Sequence, residues 1–130
     1  MKDFHREITI SSDPVRLPEN LHNAATGAVS QFLGVVREME NDAPIDGIDY
    51  EAYLPMAERQ LRRIAMEATE EFGLHPLHIH HRTGFVAAGE PSIGLAVALP
   101  HSREAFDLCQ YYLQRIKTEV PVWKNIVFRR

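Results

Sequence analysis

The stretch that decides the fold is Ile93-Gly94-Leu95-Ala96-Val97-Ala98-Leu99, followed at once by Pro100-His101-Ser102. Ile93, Leu95, Val97 and Leu99 recur at every second position, the period of a strand that lays one face on a core. Gly94, Ala96 and Ala98 leave the opposite face flat, where a helix could lie close. Ser102 suits the N-cap of a following helix, because its hydroxyl can accept from the unpaired N–H groups of a first turn. The predicted buried stripe of that helix is Ala105, Phe106, Cys109, Tyr112, Leu113 and Ile116. Pro121 prevents it from continuing much beyond Lys117.

Working outward, Leu77, Ile79 and His81 alternate with His78, His80 and Arg82 as another strand. Pro55 opens a helix whose apolar positions Ala57, Leu61, Ile64, Ala65, Ala68 and Phe72 keep a period near 3.6, and Gly73 ends it. Ile48, Tyr50 and Ala52 alternate with Asp49, Glu51 and Tyr53, a half-buried strand, whereas Glu38 to Pro44 reads as an exposed acidic loop. Gly27 to Arg37 is a further strand, in which Gly34 predicts a bulge or a close backbone approach. Phe4 to Ile10 alternates as well and stops at Ser11-Ser12-Asp13-Pro14. Strands interleaved with two helices in this order predict an α+β fold over one domain, residues 1–130, with the helices on one face of a mostly antiparallel sheet.

With 45% hydrophobic and 25% charged residues in 130, the composition is that of a folded globule and excludes disordered, collagenous and coiled-coil classes. No apolar run approaches the ~18 residues of a membrane helix, so no membrane partner is expected. Met1 to Glu7 turns polar before an export signal could form, which makes the expected location cytoplasmic. The net charge of −4 argues against nucleic acid, but it is unevenly spread. Residues 1–100 carry 8 Lys/Arg against 15 Asp/Glu, and residues 101–130 carry 6 against 3, so a cationic C-terminal third sits on an acidic body. Such a patch can hold a small anion or an acidic tail, and a solvated basic face would look the same.

Three sets of residues could carry chemistry. The single cysteine, Cys109, excludes an internal disulfide and falls on a predicted core stripe, unlike the partly exposed, cation-flanked thiol of a nucleophile. His78 and His80 share a strand face, and His101 or Glu90 could complete a divalent-metal site, although surface histidines explain the pattern as well. Lys117 closes a helix, Pro121 turns the chain and Lys124 follows Trp123, so both amines could converge on one pocket. Spacing alone allows a solvent-facing lysine pair equally.

Six segments stand in a recognisable order: Phe32-Leu33-Gly34-Val35-Val36-Arg37, Tyr50-Glu51-Ala52-Tyr53 with Met56-Ala57, His81-Arg82-Thr83-Gly84, Gly89-Glu90-Pro91-Ser92, His101 with Ala105-Phe106, and Lys117 to Lys124. Together they resemble the large, catalytic subunits of molybdopterin synthase, the MoaE family, over roughly residues 4 to 125. The resemblance implies an α/β hammerhead-type fold and a sulfurtransferase of molybdenum cofactor biosynthesis. It also implies a homodimer at the centre of a heterotetramer, in which a small ubiquitin-like subunit inserts a Gly-Gly tail ending as a thiocarboxylate. The implied substrate is cyclic pyranopterin monophosphate, precursor Z, which would receive the two dithiolene sulfurs. Lys117 and Lys124 match the family's active-site lysines. Val35, Val36, Arg37, His101, Ser102, Arg103 and Asn125 fall at substrate-binding positions, with Ser102 and Arg103 where the family often has Arg directly after the histidine. No metal or other cofactor is implied for the step, since the sulfur arrives on the partner. The alternatives are a non-catalytic relative that binds or scaffolds the small subunit, and a divalent-metal enzyme built on the histidines.

Overall fold

The alternation from Ile93 to Leu99 makes the central strand of a sheet. The computed structural model describes residues 5–130, so Phe4 of the first expected strand lies outside the described residues. The elements run β1 (Arg6–Ser11), β2 (Ala28–Val35), β3 (Met39–Glu40), β4 (Ala43–Ala52), α1 (Leu54–Phe72), β5 (Leu77–Arg82), β6 (Gly84–Ala87), β7 (Pro91–Leu99), α2 (Ser102–Glu119) and β8 (Val122–Phe128).

One sheet has the order β1-β5-β7-β2. β7 pairs antiparallel with both neighbours, and β1 pairs parallel with β5. The α+β class and the mostly antiparallel sheet expected from the sequence are what the chain forms. Ile93, Leu95, Val97 and Leu99 join Leu77 and Ile79 of β5 beneath Ala57, Leu61, Ile64, Ala65 and Ala68 of α1 and the inner stripe of α2. Each fully buried aliphatic side chain here contributes about 1.5–3 kcal/mol, so truncating Leu95 would cost about 2–5 kcal/mol.

The flat face of β7 is covered, but not by a helix. A Cβ at Gly94 would lie 2.7 Å from Val15 Cγ1, and Leu21 packs on Ala96 and Ala98. The irregular segment before β2, with Pro14 and Pro18 and no helical period, threads its few aliphatic side chains into this shallow surface. Gly34 behaves as expected: the β2–β7 register shifts between Gly34 and Val35, and a Cβ at Gly34 would stand 2.7 Å from Ile93 Cγ2.

In α2 the first helical residue is Ser102 and the cap is His101, with no side-chain capping bond. The buried stripe is Ala105, Leu108, Cys109, Tyr112 and Ile116. Phe106, expected inside, is 68% exposed, because it sits about 100° around the helix from Ala105 while Leu108 holds the stripe.

A second sheet was only partly legible. β4 begins at Ala43 and lies between β6 and β8, both antiparallel to it, neither of which has an obvious alternating pattern. The expected loop around Glu38 to Pro44 is a tight β3–β4 hairpin whose turn residues, Asn41 and Asp42, take φ of 51° and 61°. Short Asn and Asp side chains tolerate that left-handed backbone, which a two-residue hairpin turn requires. The inner face of this sheet carries Val36, Ile45, Ile48, Tyr50 and Val86. Tyr53 N–H donates to the Pro121 carbonyl at 3.3 Å, which fixes where β8 departs from the end of α2.

Candidate active site

The two sheets and the C-terminal end of α2 enclose a cavity of about 530 Å³. Each wall follows from local sequence. β2 ends in the bulge after Gly34, and Val36 is buried and doubly bonded: its N–H donates to Glu90 O at 3.0 Å and its carbonyl accepts from Gly89 N–H at 2.7 Å. That clamp delivers Val35, Val36 and Arg37 to the cavity rim, where Arg37 Nη2 holds both carboxylate oxygens of Glu40 at 3.0 and 3.1 Å. The opposite wall is the β4–β8 pair, in which Tyr50 registers with Lys124. Side chains alternate along β8, so Val122 and Lys124 turn inward. α2 contributes Leu113, Ile116 and Lys117.

Lys117 and Lys124 therefore come from different elements to one cavity, the convergence that spacing alone could not settle. Among the described residues neither amine has a carboxylate within 4.0 Å, and Arg37 alone of the three cations is paired. Two uncompensated ammonium groups over a half-apolar wall suit an anionic ligand with an organic body.

The remaining expected residues stand elsewhere in the chain. His101, Ser102 and Arg103 are exposed at the start of α2, and sixteen residues of helix put His101 about 24 Å from Lys117 along the axis. Asn125 follows Lys124 and so faces the other side of β8, where Nδ2 donates to Asp49 O at 3.4 Å. His78 and His80 do share a face, but they are buried and held by different partners. His78 Nδ1 lies 3.1 Å from His5 Nε2, and His80 Nε2 lies 3.1 Å from Ser11 Oγ. The group with metal-ligand chemistry among the described residues is His5, Glu7 and His78, without His101 or Glu90. Glu90 instead meets Arg82 Nη1 at 3.4 Å. Cys109 is buried as expected, and burial pushes its thiol up, away from the thiolate form a nucleophile needs.

Residues that sequence reasoning did not single out as site residues also line the cavity, chiefly Glu40, Tyr50, His81 and Ser92. Strand parity could have found two of them: Tyr50 shares a face with Ile48, and His81 shares one with Leu77 and Ile79.

The profile of the family described as MoaE protein matches residues 10–119. The chain belongs to the MoaE family. A molybdopterin synthase catalytic subunit of Emericella nidulans is 35% identical over 96% of this MoaE chain, which spans 65% of that relative's length. The crystal structure of molybdopterin synthase from Staphylococcus aureus superposes with a TM-score of 0.85 at 33% identity, covering 99% of this chain and 93% of that one. A complex of subunits 1 and 2 of the molybdopterin-converting factor from Helicobacter pylori has the same fold, with a TM-score of 0.67 at 20% identity over 82% of this MoaE chain and 73% of that one.

Proposed function

We propose that this chain is the catalytic subunit of a cytoplasmic molybdopterin synthase, a sulfurtransferase that moves sulfur from a thiocarboxylated small subunit to precursor Z. The observation that carries the reading is the convergence of Lys117 and Lys124, both unpaired among the described residues, on one cavity rimmed by Arg37. A thiocarboxylate and a phosphate monoester are both anions and repel in water. A site that brings them together needs fixed cations that are not already neutralised. In this reading Lys117 stabilises charge on the acyl group or exchanges a proton with it, and Lys124 positions substrate. Arg37 offers a planar fork to phosphate once Glu40 yields.

His101, Ser102 and Arg103 cannot serve the cavity of their own chain across the length of α2. We assign them to the cavity of the second copy in a homodimer, with one small subunit on each copy completing a heterotetramer. The small-subunit tail, rather than Cys109, supplies the sulfur. The test is reconstitution of the full chain with thiocarboxylated small subunit and precursor Z. Dithiolene product must form only when all three are present, and an inert mixture that still assembles favours the non-catalytic scaffold reading.

A further inference from the structure

We propose that His81 is the proton acceptor of this cavity, activating the water that frees the sulfurated substrate from the partner's tail. The inference rests on the function proposed above and adds a residue to its mechanism.

His81 lies at the end of β5 and lines the cavity together with Lys117 and Lys124. It is on the sheet face of Leu77 and Ile79, opposite to His78 and His80, so it is separate from the His5–Glu7–His78 group. Its ring is fixed in two ways. Tyr50 packs against it edge-on, centroids 5.6 Å apart at 69°, and Nδ1 lies 3.0 Å from the Arg82 carbonyl oxygen. A carbonyl can only accept, so Nδ1 carries the proton and the lone pair of the neutral ring is on Nε2. Nε2 has no hydrogen-bond partner among the described residues and is not fully buried, so on a residue that lines the cavity its lone pair is free. Burial first, then the charges of His80 and Lys124, lower the proton affinity of His81, against the Arg82 carbonyl, which raises it. The groups facing it are Tyr50 on β4, Lys124 on β8, and Lys117 on α2 across the cavity. The net effect keeps the ring neutral near pH 7, the state a base requires.

The proposed function needs such a base. Once a thiocarboxylate sulfur has bonded to a substrate carbon, the partner's acyl carbon and the substrate are joined as a thioester. Water attacks that carbonyl, a C–O bond forms, and the C–S bond breaks with its electron pair remaining on sulfur. One water proton passes to His81 Nε2 and the other is released to solvent as the new carboxylic acid ionises, giving a carboxylate tail and a substrate thiolate. Neither lysine can accept that proton while it is an ammonium stabilising the oxyanion.

The test is the steady-state rate of dithiolene formation from thiocarboxylated small subunit and precursor Z, followed from pH 5 to pH 8. For the wild-type chain the rate should fall on the acid side with a midpoint below the ordinary imidazole value of about 6.5. His81→Gln should lower the rate at pH 7 by about 10²-fold or more and erase that limb. Imidazole added to His81→Ala should restore part of the rate. An acid limb that persists unchanged in His81→Gln overturns the proposal. So does His81→Gln with an unchanged rate and profile, or with weaker precursor binding alone. A wild-type mixture that makes no product overturns the parent reading instead.

Discussion

Arg115 and Lys117 stand two residues apart in the last turns of α2, and the fold treats their charges in opposite ways. Arg115 Nη1 meets Glu67 at 2.7 Å, its Nε meets Glu119 at 2.8 Å, and its guanidinium carbon lies 5.4 Å from the centroid of Tyr111. Lys117 has no carboxylate within 4.0 Å among the described residues. Two residues are about 200° of helix, so one side chain turns to α1 and the other to the cavity. On the α1 side a charge joins two helices and is neutralised by protein. On the cavity side a resident carboxylate would compete with an anionic ligand, and the sequence leaves the place open.

The largest expected effect breaks this contrast on the cavity side. Lys117→Ala should lower dithiolene formation by about 10²–10³-fold, the loss typical of one preorganised charge, while the thermal midpoint stays within about 0.5 °C. Arg115→Ala should do the reverse, with activity within about threefold. Full turnover by Lys117→Ala would show that the open charge is only a solvated one. The same variant probes the far end of the helix. Mixed with Arg103→Ala chains, it should regain part of the activity through exchanged dimers if the start of α2 serves a neighbouring cavity.

The next effect tests the paired side where it enters the core. His75 Nδ1 donates to Gly73 O at 2.6 Å, which leaves Nε2 to accept from the Tyr112 hydroxyl at 2.7 Å, and both residues are fully buried. Desolvation lowers the proton affinity of His75 and raises the Tyr112 phenol, so the neutral pair is the stable one. Tyr112→Phe strands a buried acceptor and should cost about 1–3 kcal/mol, measured by urea unfolding at pH 7. The folded His75 binds its proton more weakly than the unfolded chain does. Its contribution is therefore complete above about pH 6.5 and is lost as the pH falls below it.

These two sides were not equally legible in the sequence. The core stripes of α1 and β7 and the burial of Cys109 follow from local period, because the apolar spacing and the elements share one geometry. β8 did not, since Trp123, Asn125 and Val127 on its outer face are no more polar as a set than Val122, Lys124 and Ile126 inside. A strand paired only along β4 is recognised through its partner, and pairing is not a local property. Parity alone puts His81 on the face of Leu77 and Ile79, but the cavity it lines exists only where two sheets meet. The pair Lys117 and Lys124 was legible as a motif, but only the fold separates it from Arg115. Resemblance puts the start of α2 at the same site, and helix length shows that a single chain does not bring it there.

A smaller effect distinguishes the paired arginine by its acid dependence. Arg115, aided by Arg63, holds the Glu119 carboxyl down to about 2 and lowers Glu67 in the same direction. A carboxyl whose folded value lies below its unfolded one stabilises above the unfolded value and loses that contribution as the pH drops through the folded one. Thermal midpoints of wild type and Arg115→Ala should differ by about 2 °C at pH 7 and converge between about pH 4.5 and pH 2. These groups are exposed, so 1 M salt should narrow the neutral-pH gap as well. A gap that persists at pH 2 would mean that Arg115 acts through its stem packing on Tyr111 and not through its charge.

The smallest expected effect applies the comparison to neighbouring residues of one strand. Lys124 and Asn125 are adjacent in β8, yet the pleat turns Lys124 into the cavity and Asn125 onto the face of Asp49. Resemblance places both at the site, whereas the fold of a single chain admits one. Lys124→Ala should raise KM for precursor Z about tenfold or more, since it removes a fixed cation from an anion site. Asn125→Ala should change KM by less than about twofold, because the side chain gives up only one long hydrogen bond to a backbone carbonyl. If Asn125→Ala matched Lys124→Ala, substrate would have to extend around the β8 edge, and the contrast between an open inner face and a satisfied outer one would fail at this strand.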